Sequence, residues 1–122
     1  MKEETMKFVL LIYQGTTPIP GTDRWNALSK EEQQTIYKEY SELNNTPGFT
    51  AGLPLGLPNA ARTVKVQKGN VEVKDGLYLH EGAAGYGVFE AENMEAAIAL
   101  ASRIPAARLG GAIEIRPAEQ YW

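Results

Sequence analysis

The chain has 122 residues, sets 12 Lys and Arg against 15 Asp and Glu for a net charge of −3, and contains no cysteine. That length suits one domain with its own core. The missing cysteines exclude disulfides, thiolate catalysis and cysteine-ligated zinc, and they fit a reducing compartment. The acidic balance argues against a nucleic-acid partner, because Lys65, Lys68 and Lys74 are interleaved with Glu72 and Asp75 instead of forming a basic cluster.

Residues 1–5 (MKEET) are polar and precede a second methionine, Met6. They are expected to be a disordered extension, leaving residues 6–122 as a single domain. Met6–Tyr13 (MKFVLLIY) is too short to span a bilayer and no cleavage-like segment follows it. A soluble, cytoplasmic chain with no membrane partner is therefore expected. The same eight residues are apolar at both alternations, which is how a strand covered on both sides reads.

A loop is expected over residues 14–23, where Pro18, Pro20 and Gly21 interrupt regular structure. Ser29 followed by Glu32 forms a capping box that opens a helix over residues 30–43, with Ile36, Tyr40 and Leu43 on its buried stripe. Asn44, Asn45, Pro47 and Gly48 end it. FTAGLPLGLP (49–58) is a short, irregular strand, since Pro54 cannot donate to a ladder. A hairpin follows: Val64 and Val66 alternate with Thr63, Lys65 and Gln67, and Val71 and Val73 with Glu72 and Lys74. Gly69-Asn70 is read as its turn. A strand over 85–90 feeds the N-cap Asn93 and a helix over 94–104, whose inner face is Met94, Ala97, Ile98 and Ala101. Gly110-Gly111 turns into the last strand at 112–116, and residues 120–122 form an aromatic tail.

This order predicts an α+β fold: a ferredoxin-like antiparallel sheet with two helices on one face. The bare face of the doubly apolar first strand then needs cover. A second copy of the chain, sheet facing sheet with two-fold symmetry, supplies it and makes a homodimer, the dimeric α+β barrel.

Five segments carry a resemblance: LLIY (10–13), WNALSKEE (25–32), PGFTAGLPLGLP (47–58), RTVKVQKGNVEVKDG (62–76) and IPAARLGGAIEIRP (104–117). In this order and spacing they resemble the YCII-related family, in its DGPF-domain branch. The resemblance implies small, mostly uncharacterised bacterial proteins of the dimeric α+β barrel type. In parts of the wider family a histidine–aspartate pair in a cleft has been suggested as acid–base machinery. The DGPF branch often accompanies extracytoplasmic-function sigma factors. Here Asp-Gly-Pro-Phe is replaced by Asp75-Gly76-Leu77-Tyr78, and the charged stretch that usually follows is LHEGAAG.

His80, the one histidine, is the candidate base and Asp75 the candidate group that orients it. Residues five apart on an unbroken strand face opposite ways, so the pair meets only if the chain bends at Gly76. The alternatives are a solvent-exposed loop histidine and an aspartate that bonds its own turn. Glu81 is a second possible partner of His80. Tyr13, Trp25, Arg62, Tyr78, Tyr86 and Arg108 are candidate lining for a cleft, where the arginines would suit a small organic acid. The alternative makes the aromatic residues rim packing and pairs the arginines with acids. One histidine without cysteine gives no metal-type spacing. Gly82, Gly85 and Gly87 precede a strand and not a helix, so no nucleotide cofactor is expected. The expected function is binding of a small organic ligand, with acid–base chemistry of the lyase or isomerase kind as the enzymatic form. The alternative is a non-catalytic accessory or regulatory dimer linked to sigma-factor-associated transcription.

Overall fold

The computed structural model describes residues 5–119. Nearly all of the expected N-terminal extension, and the aromatic tail at 120–122, lie outside the described residues. Strand β1 (Met6–Tyr13) is central in a four-stranded sheet. It pairs antiparallel with β5 (Ala83–Ala91) on one side and with β6 (Ala112–Pro117) on the other. The short β2 (Phe49–Ala51) adds to the outer edge of β5, giving the order β2-β5-β1-β6. Strands β3 (Arg62–Gln67) and β4 (Asn70–Asp75) form a separate two-stranded sheet. With that hairpin set aside, the chain runs β-α-β-β-α-β through an antiparallel sheet.

Register decides which side chains share a face. Phe8, Leu10 and Ile12 of β1 lie opposite Phe89, Gly87 and Gly85 of β5, and Leu10 and Ile12 also oppose Ile115 and Ile113 of β6. This face carries the core. Helix α2 (Lys30–Asn44) contributes Leu43 and Tyr40, and helix α3 (Met94–Ala101) contributes Ala97 and Leu100. Ile104 and Ala106 complete it beyond α3. Burying a side chain such as Phe8 or Leu10 contributes about 1.5–3 kcal/mol, so the sheet holds the helices mainly through this face. Gly87 is small because Phe49 lies over it: a Cβ there would come within 2.7 Å of the Phe49 ring.

The α2 capping box forms as expected. Ser29 Oγ accepts from Glu32 N at 3.1 Å, and Glu32 Oε1 accepts from Ser29 N at 3.0 Å. The Ser29 backbone N–H, and after it the Ser29 hydroxyl, stabilise the ionised Glu32 carboxyl and hold it below its ordinary pKa.

Four local features differ from expectation. A third helix, the one-turn α1 (Asp23–Asn26), begins where loop was expected to end. Thr22 caps it by accepting from Trp25 N, and Gln33 of α2 ties it down by donating to Trp25 O at 2.9 Å. The hairpin turn is Lys68-Gly69, with φ of 49° and 80°, and Asn70 already belongs to β4 opposite Gln67. Two successive positive φ angles are what a tight hairpin turn requires, and Gly69 relieves the second. Helix α3 ends at Ala101, three residues early. Its buried stripe is Ala97, Leu100 and Ala101, while Ile98 is exposed.

Leu10 is fully buried at the centre of the core. Leu10→Ala is expected to lower unfolding stability by about 2–5 kcal/mol, measured by denaturant titration with an unchanged slope.

Candidate functional site

The face of the sheet away from the helices carries Val9, Leu11 and Tyr13 of β1, Tyr86 and Val88 of β5, and Glu114 and Arg116 of β6. Val9, Leu11 and Val88 are half-buried, and Tyr86 is 43% exposed. The core clusters into which the helices pack draw on the other face. At one end of this open face is a cleft of ≈ 690 Å³ lined by Tyr13, Glu81, Glu114 and residues 110–113. A smaller hollow of ≈ 230 Å³ includes Lys7, Thr50, Val88 and Glu90.

The cleft owes its shape to a close crossing of two loops. Thr16 N donates to Gly110 O at 3.1 Å, and Gly111 N donates to Ala106 O at 2.8 Å. A Cβ on Gly111 would stand 2.2 Å from Tyr13 O, and Gly110 has a φ of +106°. Only glycine fits both demands, so the Gly110-Gly111 turn brings the start of β6 against the end of β1.

Tyr13 Oη donates to Glu114 Oε2 at 3.2 Å, a diagonal cross-strand contact between β1 and β6. Partial desolvation raises the phenol pKa above its ordinary value. Glu114 adds to the rise through its charge and hydrogen bond, Glu81 adds a smaller share, and Arg116 opposes them. The arrangement gathers two carboxyl groups and a phenol around one opening. It suits a ligand that donates hydrogen bonds or carries positive charge. Among the described residues, no group of three or more metal-ligating side chains occurs.

The other candidate residues are distributed elsewhere. Asp75 Oδ1 pairs with Arg62 Nε at 3.0 Å across the base of the hairpin, and both side chains are exposed. His80 is exposed in the loop between β4 and β5, next to the cleft-lining Glu81. No hydrogen bond joins His80 to Asp75 among the described residues. Arg108 forms a two-pronged ion pair with Glu39 of α2. Trp25 is buried, its ring edge-on to Tyr37 at 5.2 Å. Tyr78 is exposed, with the Lys65 ammonium 5.3 Å from its ring centre. Tyr86 lies against Gly52, where a Cβ would meet its ring at 2.4 Å. Of the expected lining, Tyr13 alone borders the larger cleft. Glu114 was missed, although the alternation AIEIR already places it on the face opposite Ile113 and Ile115.

Compared with known proteins, the chain matches no family model and no curated protein. Among the described residues, no helix is long and apolar enough to cross a membrane.

The Tyr13 ionisation yields a signed prediction. Because its folded pKa is raised, the unfolded chain ionises first, and the stability it contributes falls as pH climbs through and above the ordinary tyrosine range. Glu114→Gln removes one negative neighbour and should lower the Tyr13 midpoint. The check is tyrosinate absorbance against pH, taken as the difference from the matching Tyr13→Phe proteins.

Proposed function

We propose that the chain is a YCII-like cytoplasmic protein that works as a symmetric dimer of ferredoxin-like subunits, paired through their open sheet faces. In this reading it binds a small molecule in the cleft at the end of β1. The observation that carries the ligand reading is the convergence of Tyr13, Glu81 and Glu114 on a single opening. Its volume falls within the roughly 300–1,000 Å³ usual for small-molecule sites, and a second subunit over the sheet would restrict its access to water.

The pairing reading is supported by the side chains of the open face. Val9, Leu11 and Val88 form an apolar stripe, flanked by Lys7 and Arg116 of one sign and Glu90 and Glu114 of the other. Two charges of each sign allow a face to meet its own copy without net repulsion, as an isologous contact needs. The strand order β2-β5-β1-β6 supports the ferredoxin-like plan.

The ligand chemistry follows the cleft. An organic acid was expected on the strength of Arg62 and Arg108, but both guanidinium groups are engaged with carboxylates away from the opening. Two carboxyl groups and a phenol favour a primary amine or another cationic donor. If a proton is moved there, the Tyr13 hydroxyl and Glu114 are the groups already joined by a hydrogen bond, with His80 one residue from the wall.

The test is a thermal-shift and NMR titration with a series of small primary amines and the matching carboxylic acids. Amines should raise the melting temperature and move the Tyr13 and Glu114 resonances, and Glu114→Gln should weaken their binding about tenfold, a loss of ~1.4 kcal/mol. Preferential binding of the acids, or no binding by either series, would contradict the reading.

A further inference from the structure

The hairpin β3–β4 presents two different faces. Val64 opposes Val73 and Val66 opposes Val71, so all four valines share one face. Each is between 60% and 68% exposed. The other face carries Thr63, Lys65, Gln67, Glu72 and Lys74, with Tyr78 beside Lys65. The root of the arm is closed by its own strands, where Gly76 N donates to Ala61 O at 2.9 Å and Thr63 Oγ1 donates to Gly76 O at 2.8 Å. An isolated two-stranded hairpin is marginal in water, and an apolar face open to solvent does nothing to secure it.

We infer that the valine face of this arm packs against the valine face of the same arm in a second copy of the chain. Charge and size both select that occupant. The charged side chains sharing this face are Arg62 and Asp75, and they are closed on each other at 3.0 Å. The face therefore offers no unpaired charge to repel its own copy, and no charge pattern by which a foreign protein would be recognised. Four valines at this exposure present on the order of 400 Å², against the ~800 Å² per partner that a stable complex buries. The patch is too small to hold a partner alone and suits a second contact added to the sheet-to-sheet pairing. The inference rests on that pairing, and β-branched side chains on two facing ribbons interdigitate as facing sheets do.

The absence of cysteine makes the test clean. Single variants Val64→Cys, Val66→Cys, Val71→Cys and Val73→Cys are oxidised gently beside Lys65→Cys and Glu72→Cys on the polar face, with light scattering on the same samples. At least one valine-face variant should form a disulfide-linked dimer about tenfold faster than the polar-face controls, since the bond demands close, aligned Cβ atoms. Equal rates at all six positions would overturn the arm contact. If scattering then still shows a dimer, the sheet pairing stands without it; if scattering shows a monomer, both fall. Because the six positions are exposed in the single subunit, every variant is expected to fold.

Discussion

The structure depends on the two-sided apolar character of β1. A strand in the middle of an antiparallel sheet has two faces, and one of them commonly turns to water with polar side chains. Here Phe8 and Leu10 are sealed beneath the helices while Val9 and Leu11 point away from them. The protein has one helical layer and two apolar sheet faces. The covered face accounts for the fold of the subunit. The open face keeps Val9, Leu11 and Val88 half-buried, and its mixed border of Lys7, Arg116, Glu90 and Glu114 shapes what can cover it.

The candidate site follows from the same strand. Where β1 ends, Tyr13 is brought beside Glu114 because the glycine turn before β6 passes under the backbone of Tyr13 itself. The cleft and the charged border of the open face both follow from one register: shifting β6 by a single residue would carry Glu114 to the helix face and remove one of the cleft's two carboxyl groups together with a flanking charge. The arginines do a different job. Arg108 fastens the turn after α3 to α2, and Arg62 closes the hairpin root, so neither of these guanidinium groups lines the cleft.

Features set by neighbours in sequence were legible before any coordinates. The Ser29–Glu32 capping box, the alternation of the hairpin, the turn at Gly110-Gly111 and the double apolar pattern of β1 are all local, and each appears as read. The misses have physical causes. The one-turn α1 depends on a Thr22 cap and on Gln33 reaching back from α2, a tertiary contact with no periodic signal. The hairpin turn moved by one residue because Lys68 accepts a positive φ, an uncommon choice that a Gly-Asn pair disguises. Ile98 was placed inside by hydrophobicity alone, yet the stripe through Ala97, Leu100 and Ala101 faces the sheet and leaves it out. Of the candidate site, Tyr13 was legible as lining, and Glu81 was named only as a possible partner of His80. Arg108 meets Glu39 across 69 positions and Tyr13 meets Glu114 across 101, and no local pattern announces such partners.

The central claim is that a second copy covers the open face of the sheet. An isotope-filtered NMR experiment on an equal mixture of labelled and unlabelled chains tests it most directly, because it reads contacts between copies alone. Intermolecular contacts from the methyl groups of Val9, Leu11 and Val88 are expected at micromolar to millimolar concentration. A spectrum in which those methyl groups touch nothing on the other copy, while the protein remains folded, would contradict it.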